Sequence, residues 1–200
     1  MLLHHLDAPF EDKQWALGDE GPDGWFSHKF NLGMTFPNLP YWHDGEIHHS
    51  GAMPVLRSIC RKYKPEYLGR NLKEQAEVDA SVDYFYPKCD PWVGTYFMAP
   101  DYATKIEEGS GKAKEILEDI ATAKGPNAFL CGNDVTYADF MINWLLSMFR
   151  LYNEDVFLDF PQIVEYHKRY LALDGIKEGD QAMSDMLYMP PVGWQADNMP

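Results

Sequence analysis

The segment that most constrains the fold of this chain runs from Phe36 to Gly45 and has the sequence FPNLPYWHDG. Two prolines flank Asn38 and Leu39 ahead of a short apolar run and an Asp-Gly turn, which is typical of a rigid loop entering a β-hairpin. The Leu-Pro bond is also a suitable place for a cis peptide, which is almost never tolerated outside X-Pro bonds. We therefore expect the backbone N–H and C=O of Leu39 to be unpaired at the strand end and available to an extended peptide ligand.

The segments on either side of this loop predict a small unit of helices and strands. The spacing of apolar residues and the turn-forming glycines set the boundaries. We expect the last turn of a helix at residues 1–6, a strand over Phe10–Leu17, a helical turn over Trp25–Phe30, hairpin strands at Tyr41–Trp42 and Glu46–His48, and a helix over Ala52–Tyr63. Residues 64–71 are predicted to be a linker.

From residue 72 onward the hydrophobic pattern is helical. The clearest helix is predicted from Thr136 to Tyr152, because Thr136 and Asp139 form a variant capping box and apolar residues line one face. The other predicted helices are Leu72–Tyr86, stopped by Pro87 and Pro91, Ala99–Ala123, ended by Gly125-Pro126, and Asp159–Leu173. The segment after Tyr188 is predicted to be irregular.

Composition and charge narrow the class of protein. An apolar content of 46% argues against disorder, and a net charge of −14 disfavours nonspecific binding to nucleic acid or anionic membranes. No apolar run approaches a membrane span, and the first residues are too few and too polar for a signal peptide. The chain has three cysteines, at Cys60, Cys89 and Cys131. An odd number of cysteines without the spacing of a metal or redox motif suits a protein of a reducing compartment. We expect a soluble cytoplasmic protein, with a place in an organelle assembly left open.

Two stretches of the sequence resemble a known family. Read together with WFSHKFNLG at residues 25–33, the proline-rich loop resembles the glutathione-binding half of mu-class glutathione transferases. The stretch FLCGNDVTYADF at residues 129–140 is similar to the helix-capping motif of that family's C-terminal domain. The resemblance implies an α+β, thioredoxin-like N-terminal domain at residues 1–66, shortened by its first strand, and an all-helical C-terminal domain at residues 71–188.

Four residues match family positions that contact the glycyl carboxylate and the cysteinyl backbone of glutathione: Trp25, Lys29, Asn38 and Leu39. Each has a plainer interpretation as well. Trp25 can be a packing residue, Lys29 a solvated surface lysine, and the Asn-Leu pair a requirement of the turn. We interpret the four residues as the remnant of a glutathione site rather than as a working site.

Two features of the resembled enzymes have no counterpart in this sequence. Their sulfur-activating tyrosine ends the first strand, whereas this chain begins at Met1 within what resembles the end of the first helix. Their Gln-Ser pair, which holds the γ-glutamyl carboxylate, is replaced in ungapped counting by Gly51-Ala52, and a two-residue shift to His49-Ser50 is the alternative. Losing two such hydrogen bonds costs about 2–4 kcal/mol, roughly 30- to 1000-fold in affinity. No catalytic residue is assigned.

Other reactive groups are not indicated by the sequence. The pairs His4-His5 and His48-His49 are adjacent residues, which point to opposite faces of a strand, so no metal site is predicted. Cys60 is predicted to be a core residue and Cys131 a turn or packing residue. No Ser-His-Asp order, phosphate-binding loop or dinucleotide-binding fingerprint is present.

The resemblance also implies a dimer. Phe36, on the proline-stiffened loop, matches an aromatic residue that enters an apolar pocket between the first two helices of the partner's C-terminal domain. In this chain we expect that pocket around Val82, Phe85 and the second long helix. Arg57 matches a position beside the two-fold axis, where it can meet acidic residues such as Asp79.

The sequence therefore predicts a glutathione S-transferase-like protein that is catalytically degenerate and acts as a structural or interaction subunit. No cofactor is expected, and glutathione is at most a weak ligand. The expected partner is a second copy or a related chain, with a larger assembly left open and without nucleic acid or membrane insertion. The alternatives are an active mu-class-like enzyme that conjugates glutathione to hydrophobic electrophiles, and a carrier that binds ligands in an apolar cleft.

Overall fold

Helices make up most of the chain, and a small antiparallel hairpin lies in its first third. The computed structural model describes residues 1–15 and 24–187. In chain order the elements are α1 (Leu2–His5), α2 (Trp25–His28), β1 (Tyr41–His43), β2 (His48–Ser50), α3 (Ala52–Tyr63), α4 (Leu72–Trp92), α5 (Ile106–Lys124), α6 (Tyr137–Tyr152), α7 (Pro161–Leu171) and α8 (Ile176–Leu187). Short turns of 3₁₀ or π helix lie at Lys29–Asn31, Pro65–Leu68, Val93–Phe97, Tyr102–Lys105 and Glu154–Phe157.

The predicted fold class is confirmed, because a shortened thioredoxin-like unit of hairpin and α3 precedes an all-helical unit of α4 to α8. The domain boundaries at residues 66 and 71 stay predictions, and residue 188 lies outside the described residues. Within the described ranges, no helix is both long and apolar enough to cross a bilayer.

The hairpin is formed by β1 and β2. Its register pairs Tyr41 with Ser50, Trp42 with His49 and His43 with His48. The second strand was predicted at Glu46–His48, but it begins at His48. Asp44 Oδ1 accepts hydrogen bonds from the backbone N–H groups of Glu46 at 3.2 Å and Ile47 at 2.8 Å. This side-chain bonding holds the two residues in the turn and delays the start of the strand.

The predicted strand over Phe10–Leu17 is wrong for the part of it that the structure describes. Residues 10–15 contain no strand, and residues 16 and 17 lie outside the described residues. Residues 10–14 are all exposed, so this segment lacks the buried face that usually fixes a strand in a sheet.

Helix α4 continues to Trp92, so the predicted stop at Tyr86 is wrong. A proline inside a helix leaves the carbonyl four residues earlier without its donor. Pro87 and Pro91 both lie on the exposed side of α4, where water can bond to the freed carbonyls. The other side of the helix is buried through Val78, Val82, Phe85, Cys89 and Trp92. Packing of that side stabilises the helix against both prolines.

Two of the other predicted helices begin later than expected. α5 starts at Ile106 instead of Ala99. Before it, Tyr102 donates a backbone hydrogen bond to Ala99 at 3.1 Å and Thr104 donates one to Asp101 at 2.9 Å, which closes tighter turns. α7 starts at Pro161, at a position where the missing N–H has no helical partner to lose.

The predicted capping box of α6 is confirmed, and it is part of a larger buried network. Asp139 is fully buried, and its Oδ2 accepts hydrogen bonds from the backbone N–H of Thr136 at 2.7 Å and from its hydroxyl at 3.0 Å. Its Oδ1 accepts from the backbone N–H of Leu130 at 2.8 Å and from the Tyr166 hydroxyl at 2.7 Å. One carboxylate therefore joins the start of α6, the preceding loop and α7.

The beginning of the chain is fastened to a segment near its end. His5 Nδ1 donates to the carbonyl of Asp174 at 2.7 Å, and its Nε2 lies 2.7 Å from the hydroxyl of Tyr67. Gly175 has a φ of +71°, and the backbone of His4 occupies the space where a Cβ would stand. α1 thus packs directly against the start of α8.

Replacement of Asp139 by alanine should lower the free energy of unfolding by about 3–5 kcal/mol, because four buried donors lose their acceptor. Thr136→Ala should cost only about 1 kcal/mol, the usual value for an N-cap. Urea unfolding followed by circular dichroism measures both changes. Asp134→Ala is the control, since its side chain is 67% exposed and pairs with Arg70 at 3.0 Å on the surface. An equal loss in the control and in Asp139→Ala would contradict the central role of this carboxylate.

Candidate functional site

The helical turn α2 is fixed to the hairpin by aromatic rings. The Trp25 side chain is buried and stacks on Tyr41 with ring centroids 6.2 Å apart, and its edge meets Trp15 at 5.8 Å. Tyr41 is the first residue of β1, directly after the Asn38-Leu39-Pro40 loop. The stack therefore links the two parts of the predicted glutathione-site remnant, although Trp25 also serves as a packing residue.

Lys29 lies among aromatic rings at the end of α2. Its ammonium nitrogen is 6.0 Å from the ring centroid of Trp25, 5.6 Å from that of Phe26 and 5.1 Å from that of Phe30. Cation–π contacts of this kind are worth about 0.5–1 kcal/mol at exposed sites. The cation is thus held beside Trp25, at a position from which it can pair with an anionic ligand.

The backbone N–H of Leu39 was expected to be unpaired, and this prediction is wrong. It donates a 2.9 Å hydrogen bond to Oδ1 of Asn38, the preceding side chain. The Leu39-Pro40 bond is cis, as the sequence suggested. An extended ligand that pairs with Leu39 would have to displace the Asn38 side chain first.

The start of α3 offers no polar side chain at the predicted γ-glutamyl position. Gly51 caps the helix with a φ of +99°, and Ala52 is its first residue. The backbone N–H of Gly51 donates to the carbonyl of Pro40 at 2.9 Å. The alternative pair is engaged elsewhere in β2: His49 Nε2 lies 2.7 Å from Ser58 Oγ, and the Ser50 hydroxyl donates to the carbonyl of Phe36. These contacts argue against the two-residue shift.

Two residues near Trp25 are not among the predicted site residues. The rings of Trp15 and His28 meet edge to face with centroids 5.0 Å apart. Trp15 Nε1 and His28 Nδ1 are buried and have no hydrogen-bond partner in the described part of the chain. Buried polar atoms are usually paired, so these two nitrogens are candidate contacts for a polar ligand. A tryptophan and a histidine alone carry no sequence signal that separates this role from packing.

The predicted dimer residues occupy different environments. Phe36 is 82% exposed on its loop. Arg57 lies 3.4 Å from Asp79 and 3.6 Å from Asp83 of the same chain, and its Nε donates to the Tyr137 hydroxyl at 3.0 Å. Arg57 and Asp79 therefore already form an ion pair within one chain, on the side where both carboxylates face solvent.

The acceptor pocket predicted around Val82 and Phe85 stays a prediction, but these two side chains do not line it, because both are fully buried in the core of their own chain. A groove of about 400 Å³ does lie between the same two helices, α4 and α5, nearer the end of α4. Its apolar floor includes Trp92 and Ile116, and its rim carries charged groups such as Asp119.

The three cysteines provide no activated thiol. Burial raises the pKa of Cys60 and of Cys89 to about 12, and it also raises the pKa of Cys131. A thiolate is the nucleophilic form, so these shifts work against reactivity. The described residues also contain no cluster of three or more histidine, cysteine or acidic side chains that could surround a metal ion.

The comparisons with known proteins agree with one another on the family. A model of the glutathione S-transferase C-terminal domain matches residues 91–178. The chain is 32% identical over 203 residues to the glutathione S-transferase class-mu 26 kDa isozyme of Schistosoma japonicum, which covers 98% of this chain and 87% of that protein. It is 30% identical over 199 residues to a glutathione S-transferase of Tyrophagus putrescentiae, covering 96% of this chain and 87% of the relative.

Two solved structures are similar in fold. The crystal structure of the glutathione S-transferase Blo t 8 superposes with a TM-score of 0.75 at 22% identity, over 88% of this chain and 83% of that chain. The rat hPGDS structure complexed with a quinoline has a TM-score of 0.70 at 21% identity, over 88% and 85% of the two chains.

The positive φ of Gly51 predicts that replacing this glycine lowers the stability of the fold. A non-glycine residue at its φ of +99° is strained by about 1–3 kcal/mol, so Gly51→Ala should lower the free energy of unfolding by that amount. Gly111→Ala in α5 is the matched control, because that glycine is helical and has open space where the Cβ would stand. It should be stabilising by about 0.5–1 kcal/mol. Urea unfolding distinguishes the two, and equal effects would show that Gly51 is not conformationally required.

Proposed function

This chain belongs to the glutathione S-transferase family, with mu-class relatives, and from that premise we propose that it is a catalytically degenerate member that serves as a structural or interaction subunit. The proposed pseudoenzyme keeps the packing of the family and binds glutathione weakly. A cytoplasmic location is part of the same proposal and rests on the cysteine usage.

The observation that carries this proposal is the start of α3. In the mu-class pattern the γ-glutamyl carboxylate is held by side chains at the positions of Gly51 and Ala52, which have no polar group. Backbone donors at the helix start and the helix dipole remain, and each favours an anion modestly. The N–H of Gly51 is not among them, because it is bonded to Pro40. The γ-glutamyl end of glutathione therefore lacks its strongest contacts.

The opposite end of the site supports weak binding rather than none. Lys29 stands beside Trp25 within reach of a carboxylate, at the position that the resemblance assigns to glutathione contact. Asn38, in contrast, is occupied with the N–H of Leu39. We infer a ligand held by one end, with its cysteinyl part poorly oriented.

The alternative is an active transferase that conjugates glutathione to hydrophobic electrophiles. Its support is that the 30–32% identical relatives are named as transferases and that, within the described residues, Trp15 and His28 carry unpaired buried nitrogens near Trp25. These two nitrogens could replace part of the missing polar contacts. The alternative requires a group that activates the sulfur, and the geometry of the described residues does not single one out.

Binding measurements on two peptides test the degenerate site. Isothermal titration should give glutathione and the dipeptide cysteinylglycine affinities within roughly fivefold, because the γ-glutamyl group gains little. A working γ-glutamyl subsite would favour glutathione by roughly 30-fold or more. Ala52→Ser places a hydroxyl at the first residue of α3 without backbone strain, and it should raise the preference for glutathione by roughly tenfold.

Turnover of the same two proteins, the wild type and Ala52→Ser, is measured with an electrophilic aromatic chloride as acceptor. We expect little or no conjugation in the wild type, and none gained in Ala52→Ser, because the added contact acts equally on ground and transition states. Conjugation by the wild type at rates usual for transferases would establish the enzyme and overturn the proposal.

The subunit role requires an interface, and we propose that the Phe36 loop provides it. An 82% exposed phenylalanine is costly to leave in water, and its carbonyl is fixed by the Ser50 hydroxyl, so the loop holds the ring outward. The groove between α4 and α5 is the proposed acceptor on a second copy or a related chain. Burial of the ring is worth about 1.5–3 kcal/mol on each side of a symmetric dimer.

Phe36→Ala should therefore weaken self-association by roughly tenfold or more, measured by sedimentation at micromolar concentration. Phe30→Ala is the matched control, because Phe30 is 78% exposed and lies in the preceding segment. Loss of association in both variants would point to general stickiness. A wild type that sediments as a monomer, and that Phe36→Ala leaves unchanged, would rule out this loop as an interface between copies.

A further inference from the structure

The tip of the hairpin places two histidines directly opposite each other. His43 of β1 pairs with His48 of β2 in the strand register. The neighbouring pair is hydrogen-bonded, since the N–H of Asp44 donates to the carbonyl of Ile47 at 3.2 Å. Hydrogen-bonded and non-bonded pairs alternate in an antiparallel ladder, so the histidines form a non-bonded pair, in which opposite side chains approach most closely.

The two imidazoles are close and accessible. Their ring centroids are 4.6 Å apart and the rings are inclined by 29°. His43 is exposed and His48 is half-buried. Neither ring forms a hydrogen bond or ion pair within the described part of the chain. The adjacent His49 points to the other face of the hairpin, and its Nε2 lies 2.7 Å from Ser58 Oγ.

We propose that His43 and His48 bind one divalent late transition-metal ion, with an imidazole nitrogen from each strand and water at the remaining positions. Two nitrogens that each lie about 2.0–2.1 Å from a metal stand roughly 3 Å apart. Because the nitrogen lone pairs lie in the ring planes, both side chains have to rotate out of the observed stacking before a nitrogen of each ring reaches that separation. The strands need not move, because the register already sets the rings side by side.

The ligand set also selects the kind of metal. Imidazole nitrogen favours copper, nickel and zinc over magnesium or calcium. The absence of a third protein ligand in the described residues argues against a closed structural zinc site, which takes four. A two-imidazole chelate with open positions suits Cu²⁺ best, because Cu²⁺ has the highest affinity in the divalent series. The net charge of −14 further favours cations near the surface.

The pairing of His43 with His48 is visible in the strand register but not in the sequence. In the sequence His48 stands beside His49, which a strand directs to the opposite face. The relevant partner is five residues earlier, and only the turn at residues 44–47 brings it across. The proposal is independent of glutathione binding, which concerns α2 and the start of α3.

The test is a titration of the full chain with Cu²⁺, followed by electron paramagnetic resonance and by calorimetry against a competing chelator. We expect a one-to-one complex with couplings from two imidazole nitrogens, and weaker binding of Ni²⁺ and Zn²⁺. His43→Gln and His48→Gln should each weaken Cu²⁺ binding by about tenfold or more, and the double variant little further. His49→Gln should leave the affinity unchanged.

Circular dichroism verifies that each variant is folded before titration. The proposal fails if wild-type binding is no tighter than in the double variant, or if His49→Gln weakens binding as much as His43→Gln does.

Discussion

The helical part of this protein depends on one buried carboxylate. Asp139 accepts four hydrogen bonds from three segments: the residue before α6, the loop at Leu130 and α7 through Tyr166. An ionised carboxylate can be buried at tolerable cost only when its acceptor sites are filled in this way. Because α6 is buried along almost its whole length, the position of its first turn determines where the surrounding helices pack.

Local signals allowed accurate sequence predictions where neighbouring residues decide the structure. The cap at Thr136 lies within one turn of the helix it defines, so the sequence alone places it. Predictions failed where distant packing overrides a local preference. α4 continues through Pro87 because its buried face is held by other helices, and no local pattern reports that contact. The fold class was predictable because it depends on many segments that carry local signals, so an error in one of them does not change it.

The candidate site was less predictable than the fold, for a related reason. A side chain's identity shows what it can bond to, but its actual partner depends on rotamer and register. Asn38 turns back to the N–H of Leu39, and Ser50 reaches the carbonyl of Phe36, neither of which spacing reveals. As a result, residues that match ligand contacts by position are partly engaged in holding the loop. The loop can therefore keep its geometry although the start of α3 carries no polar side chain for a ligand.

The contact between α1 and the start of α8 has a consequence for biosynthesis. α1 is made well before its partners Asp174 and Gly175, because 169 residues separate His5 from Asp174. During translation α1 can already meet Tyr67, but its docking is complete only after the central helices have been made. Closing so long a loop is slow compared with local contacts, so the final docking of α1 is expected to be among the last events. Until the start of α8 has been made, nascent chains would therefore expose part of the buried side of α1, including Leu2, to chaperones.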